Sequence, residues 1–322
     1  MTRNDNMRSS MFLNQPTVID HAYIDNEGYI VGGSFNPCFT ISGKVDPVEK
    51  VVVDFSTVKK SLKAAIDDRE NGFDHKLWIL PQWSNCAVTQ LNGDMLHIVT
   101  PHVTLDLPSN AVKFLHHAAD YSLNSCGNDL RLYLDHALGK VYPDVEVSIL
   151  VKNSQSPQLY PLDDDDDGRL DFQNIEFRYQ HGLKDSTSWG CQSLAHGHLS
   201  FIQLFYRHDL SDGVRDRDDT DDDVHFLLER MKSYLDGATF INTENIAPAF
   251  VSGNTAIEYT TERGFFRAEY DRSCKLIVLN TETTIEYIVE HVVEHFREDL
   301  KTVNASHIFV SEGLSKGAVI QL

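Results

Sequence analysis

The sequence predicts an α+β protein made of two similar halves. The strand-like and helix-like patterns run twice in one order: strand, strand, helix, hairpin, helix, strand, strand. An acidic stretch with a run of five aspartates, Asp163 to Asp167, separates the two runs and reads as a linker over 161–170, since such a run repels itself. The expected organisation is therefore a first domain over 1–160 and a second over 171–322. A chain of 322 residues is about twice the ~150-residue prior for a domain.

In the first half, Cys38 to Val45 and Val51 to Val53 read as strands. Ser56 reads as the N-cap of a helix from Thr57 to Asp68, with Val58, Leu62, Ala65 and Ile66 on one face. Asn92-Gly93 is a two-residue hairpin signal. Pro108-Ser109 reads as the opening of a second helix, Asn110 to Tyr121, and strands over Val145 to Lys152 and Gln158 to Tyr160 close the half. In the second half, Asn174 to Gln180 and Leu199 to Arg207 alternate like strands. Val224 to Leu235 carries a helical stripe of Leu227, Leu228, Met231 and Leu235. The preceding acidic run, Asp216 to Asp223, reads as a solvated loop leading into that helix. A hairpin turns at Glu262-Arg263-Gly264, and Thr283 to Leu300 reads as one long amphipathic helix. Strands near His307 to Ser311 and Ala318 to Gln321 finish the order.

Composition narrows the function. Lys plus Arg is 28 against 48 for Asp plus Glu, a formal net charge of −20. That argues against a nucleic-acid or anionic-membrane surface, which needs clustered positive charge. No stretch approaches the ~20 apolar residues that span a bilayer, and the N-terminal residues MTRNDNMRSSMFLNQP lack an apolar core of signal-peptide length. Five scattered cysteines without a CxxC fit free thiols in a reducing compartment, so a cytoplasmic location is expected.

The chemistry-bearing residues are few. His196-Gly197-His198 places two imidazoles on one face of a strand, and His181 lies at the end of the strand before it. Three neutral imidazoles fit a zinc ion with an open fourth position; the same residues also fit ordinary core histidines. Cys191 reads as a small buried hydrophobe, or as a thiolate if a metal and a histidine lie beside it. Asp74-His75 reads as a polar loop, or as a carboxylate orienting an imidazole for proton transfer. Glu312 reads as a turn residue, or as a carboxylate that accepts two N–H groups from a planar heterocycle.

Together these residues resemble the 6-pyruvoyltetrahydropterin synthase / 6-carboxytetrahydropterin synthase family, whose fold is the tunnelling fold, or T-fold. The resemblance lies in ISGKVDPVEKVVVDFSTVKKSLKAAI and FDHKLWIL in the first half, and in FRYQHGL, CQSLAHGHLSF and IFVSEGLSKGAVI in the second. It implies two tandem T-fold domains, each an antiparallel four-stranded sheet with two helices on one face plus an inserted hairpin. It implies zinc held by His181, His196 and His198, catalysis by Cys191, Asp74 and His75, and a pterin ring held by Glu312 with a contact from Thr281. The implied substrate is 7,8-dihydroneopterin triphosphate. The VDP segment and closing hairpin are closer to the type that releases 6-carboxy-5,6,7,8-tetrahydropterin, acetaldehyde and triphosphate, on the route to queuosine and related 7-deazaguanines. The alternatives are the pyruvoyl enzyme of the same family, which eliminates triphosphate and keeps the side chain, an inactive zinc-bearing scaffold, and a metal-free tandem T-fold oxidase resembling uricase.

The departures from the family pattern are complementary. Val31-Gly32-Gly33 stands where the first half would carry its HGH, and Asn153 where it would carry the anchoring glutamate. Asp236-Gly237 replaces Asp-His in the second half. Each half lacks what the other keeps, so the resemblance implies one composite site per pair of domains. If the family's assembly is kept, it also implies a homotrimer of tandem chains in place of six subunits.

Overall fold

The computed structural model describes residues 8–150, 170–207 and 217–322. The first half contains β1 (Arg8–Leu13), β2 (Ile19–Ile24), β3 (Ile30–Phe35), β4 (Cys38–Lys44), α1 (Phe55–Ile66), β5 (Lys76–Ile79), β6 (Ala87–Gln90), β7 (Met95–Val99), β8 (Val103–Pro108), β9 (Val112–Phe114), α2 (Leu123–Gly139) and β10 (Glu146–Leu150). The second contains β11 (Leu170–His181), β12 (His196–Arg207), α3 (Arg217–Leu235), β13 (Ala238–Asn242), β14 (Ile246–Ala247), β15 (Thr255–Thr261), β16 (Gly264–Tyr270), β17 (Leu276–Leu279), α4 (Ile285–His295), α5 (Arg297–Thr302), β18 (Ala305–Glu312) and β19 (Lys316–Gln321). The class is α+β.

The second half forms one six-stranded sheet in the order β17-β13-β11-β12-β18-β19. Its spine is the antiparallel pair β11–β12, in register from Leu170↔Arg207 to His181↔His196. The first half pairs its strands in the same sequence but in two pieces, β3-β2-β5-β9 and β1-β4-β10. Pro16 falls between β1 and β2, and Pro37 between β3 and β4. Proline has no N–H to give to a ladder, so each long strand is cut at that point. The uninterrupted β11 and β12 contain no proline.

These sheets differ from the four-stranded antiparallel expectation. β2–β5, β5–β9, β11–β13 and β13–β17 are parallel pairs. A second six-stranded sheet, β14-β15-β16-β8-β7-β6, draws a hairpin from each half and joins them where β16 pairs β8, from Arg267↔Asp106 to Tyr270↔Val103. The β6–β7 hairpin turns at Asn92-Gly93, with Gly93 at φ +73°, but through a loop longer than the two residues the sequence signals, since the Leu91 N–H donates to the Met95 carbonyl.

The helices follow their apolar stripes. α1 buries Val58, Leu62 and Ile66, and its N-cap is Asp54, not Ser56; the Asp54 carboxylate accepts from the Thr57 N–H at 2.8 Å. The helix expected over 110–121 is absent: residues 109–111 form a 3₁₀ turn and Val112–Phe114 pair with Leu77–Ile79 as β9. The real helix begins after Ser122, whose hydroxyl accepts from the Ser125 N–H at 3.2 Å. α1 and α2 share one core with Phe39, Ile41 and Val147 of the first sheet. α3 and α4 cover β11, β12 and β18 through Leu228, Met231, Ile288 and Val292. The single helix expected over 283–300 is two, α4 and α5, broken at the buried Phe296. The strand expected over 158–160, Asn153 and the expected linker up to residue 169 lie outside the described residues, and Leu170, expected in the linker, opens β11.

Where the halves meet, β3 and β12 touch backbone to backbone. A Cβ added at Gly197 would lie 2.4 Å from the Tyr179 carbonyl oxygen and 2.7 Å from the Gly32 Cα. One added at Gly32 would lie 2.1 Å from that same carbonyl. Neither neighbour is a side chain that can swing aside. Gly32→Ala or Gly197→Ala is therefore expected to destabilise the chain by at least the ~1–3 kcal/mol of an overpacked core. A denaturant midpoint equal to that of the parent would contradict the close approach.

Candidate active site and metal centre

Strand pairing assembles the histidines. His181 and His196 are directly opposed across β11–β12, and His198 lies two residues along, opposite Tyr179. Directly opposed residues share a face, as do residues two apart. The three imidazoles are fully buried, and one ligand nitrogen from each lies within 4.8 Å of the others.

The hydrogen bonds fix their tautomers. His181 Nδ1 faces the Thr283 carbonyl at 2.6 Å, and His196 Nδ1 faces the Ser193 carbonyl at 2.8 Å. A carbonyl can only accept, so each Nδ1 carries the proton and each Nε2 keeps a lone pair. His181 Nε2 points at His198 Nε2 from 3.1 Å, and His196 Nε2 is buried with no hydrogen-bond partner. Burial, together with the other imidazoles, depresses His181 to about 3 and His196 well below its ordinary value, so both are neutral at pH 7. Neutral imidazoles with inward lone pairs fit a divalent cation of the zinc type. Glu312 Oε1 lies 3.8 Å from both His181 Nε2 and His198 Nε2, and its other oxygen accepts from Lys316 Nζ at 2.8 Å. Burial opposes the Glu312 charge, but the imidazoles and Lys316 outweigh it and hold the carboxyl at about 2.

The first half contributes the acid–base groups. Asp74 Oδ2 accepts from His75 Nδ1 at 2.6 Å, and His75 Nε2 lies 3.7 Å from Cys191 Sγ. Cys191 and His75 also converge with His196, so the thiol sits at the edge of the imidazole cluster. Burial disfavours charge on both partners. Even so, Asp74 and Cys191 raise His75 well above its ordinary value, and His75 lowers the Cys191 thiol. The arrangement favours a thiolate–imidazolium pair.

Four features that the sequence reading did not single out hold this geometry. His75 has φ +52°, a left-handed backbone unusual for a non-glycine residue. Gly190 lets it approach, because a Cβ at Gly190 would lie 2.8 Å from His75 Cγ. Arg263, expected only as a hairpin turn, is buried and donates to the carbonyls of Gly190, His75 and Asn110 at 2.8, 3.0 and 3.1 Å. Its guanidinium also lies over the Trp189 ring. It thereby ties the Cys191 loop to the His75 backbone. Asp20 places Oδ1 3.2 Å from His198 Nδ1, a contact across the two halves. Near the last long helix, Thr283 touches the cluster through its carbonyl, whereas Thr281 is half-buried two residues upstream.

The related register in the first half carries no ligands. His21 pairs Lys76 and Tyr179 pairs Ala238 in equivalent parallel ladders. Tyr23, Val31 and Gly33 therefore fall where His181, His196 and His198 stand. Gly237 falls where His75 stands.

No family model and no curated relative matches the chain. Among solved structures, it is similar to a catalytic-residue mutant of Plasmodium vivax 6-pyruvoyltetrahydropterin synthase, with 15% identity, a TM-score of 0.35, and coverage of 46% of this chain and 94% of that one. The Plasmodium falciparum 6-pyruvoyl tetrahydropterin synthase is 15% identical, with a TM-score of 0.34 and coverage of 48% and 98%. An uncharacterized Wolinella succinogenes protein is 14% identical, with a TM-score of 0.31 and coverage of 47% and 97%. At these values the likeness carries no argument, and the reading of the site rests on its side chains.

The Cys191–His75 pair makes a testable demand. Iodoacetamide labelling resolved by residue should reach Cys191 at lower pH than an ordinary thiol, ahead of Cys126 and Cys274, whose thiols burial pushes up to about 12. In His75→Ala burial still raises the thiol while both lowering effects of the imidazole are lost, so the labelling onset of Cys191 should move to higher pH. An unchanged onset would dissolve the pair.

Proposed function

We propose that the protein is a zinc-dependent lyase of 7,8-dihydroneopterin triphosphate that forms 6-carboxy-5,6,7,8-tetrahydropterin, acetaldehyde and triphosphate. The observation that supports it best is the meeting, within one chain, of the three inward imidazoles with the Cys191–His75–Asp74 relay. His181, His196 and His198 would hold the zinc, which when bound supplies Lewis acidity toward the side-chain hydroxyls and the adjoining C–H bonds. Cys191, as thiolate, takes a carbon-bound proton from one side. His75, held by Asp74, moves protons on the other. Glu312 stays ionised and accepts N–H groups of the pterin ring beside the imidazoles, with Thr281 as a further contact.

In this reading the chain is a tandem pair of T-fold domains. The first supplies the Asp-His dyad and the second the zinc ligands, the cysteine and the anchor. The pairing order shared by the halves supports it, as does the absence of imidazoles at the sister register. No helix among the described residues is long and apolar enough to cross a membrane, and a cytoplasmic homotrimer working on a small-molecule pterin completes the proposal.

Zinc-loaded protein incubated with 7,8-dihydroneopterin triphosphate should yield the 6-carboxy product and acetaldehyde by mass spectrometry. The 6-pyruvoyl product would move the chain to the sister activity, and unchanged substrate with zinc bound would refute the lyase. Cys191→Ala should lower turnover by about 10²–10⁴-fold, the usual worth of a general acid–base group, while zinc content stays at the parent level. A solution mass of three chains is expected; a stable monomer would count against the trimer.

A further inference from the structure

The Nδ1 partners of the three histidines are not equivalent. His181 and His196 meet backbone carbonyls of their own half, Thr283 and Ser193. His198 meets a carboxylate of the other half, Asp20, with Oδ1 at 3.2 Å and both residues buried. An ionised carboxylate has no proton to give, so with a cation held between the imidazoles His198 would present Nδ1–H to it and keep the Nε2 lone pair inward.

Asp20 is itself held on several sides. Ser34 Oγ donates to Asp20 Oδ1 at 2.5 Å and accepts from the N–H of Leu199, next to His198, at 3.1 Å. The Asp20 N–H donates to Asp74 Oδ1 at 2.9 Å, and its carbonyl accepts from the His75 N–H at 2.6 Å. Gly313, beside Glu312, leaves room for the carboxylate, since a Cβ there would lie 2.6 Å from Oδ1. The fold does not demand a carboxylate at this register. The equivalent position before Tyr179 is Arg178, which donates to the Gly32 carbonyl at 3.0 Å.

We infer that Asp20 is a positioning residue of the metal centre, through which the half without imidazole ligands fixes His198 and ties it to the Asp74–His75 dyad. The inference rests on the reading that the three histidines hold a metal. It goes beyond that reading by making metal affinity depend on a residue outside the ligand-bearing half.

The test is zinc affinity of the full-length chain, measured by competition with a chromophoric chelator, alongside the melting temperature of the metal-free protein. Asp20→Ala should weaken zinc binding about 10–100-fold, the usual cost of losing a partner of a metal-bound histidine. Asp20→Asn keeps the shape and the Ser34 hydrogen bond, and should shift the affinity in the same direction by less. It decides the matter if Asp20→Ala does not fold. A purely structural buried pair would lower the melting temperature and leave zinc affinity alone. Affinity within twofold of the parent in a folded variant would overturn the inference. A parent chain that binds no zinc would instead sink the metal reading itself.

Discussion

Three buried imidazoles cannot turn their lone pairs toward one another without a cation or a shared proton between them. Most of the architecture of the second half serves that constraint. The antiparallel pair β11–β12 opposes His181 to His196 and sets His198 on the same face, so the convergence follows from strand register and not from a flexible loop. Carbonyls on two other segments lock the outward nitrogens. Glu312, held ionised beside the cluster, adds negative charge where lone pairs already gather.

The constraint reaches across the molecule because the remaining chemistry lies in the other half. Backbone contact at Gly32 and Gly197 brings the two sheets close enough for Asp20 to meet His198 and for His75 to meet Cys191. Arg263 reinforces this from the shared hairpin sheet, with every named hydrogen bond going to a backbone carbonyl. A buried guanidinium used in this way does not neutralise a carboxylate; it fixes the path of the chain. The left-handed backbone of His75 is affordable because Arg263 grips its carbonyl while Asp20 takes its N–H.

Much of this was legible in the sequence, and the reasons for the gaps are physical. Helix stripes, the Asn-Gly hairpin and the HGH spacing are local signals of period 3.6 or 2, and they survive in the structure. β3, Ile30–Phe35, carries Gly32-Gly33 and is not among the strands read from the sequence; it pairs with β2, and the missing Cβ atoms let another backbone lie against it. Residues 110–121 carry a helical pattern, yet three of them are drawn into a parallel ladder with β5. Asp20, Ser34 and Arg263 have no local signal at all. Each is an ordinary polar residue whose importance exists only once distant segments meet.

The asymmetry between the halves then has a physical logic under the tandem reading. At the sister register the ligand positions hold Tyr23, Val31 and Gly33, and the dyad position holds Gly237. A chain with two equal halves would have to satisfy ligand geometry and dyad geometry in each, with both sets of buried polar groups paired. Dividing the tasks halves the number of buried ionisable clusters. It frees β2 and β3 to pack an apolar and aromatic core, in which His21 stacks on Trp78. It also allows Asp20 to differ from Arg178 at the same register: one side of the junction supplies a carboxylate to a ligand, and the other a guanidinium to a backbone carbonyl. A symmetric assembly of identical halves could not place both residues at once. Joining the halves in one chain turns the two sides of the junction into separately adjustable surfaces, and the metal cluster lies on the side that received the carboxylate.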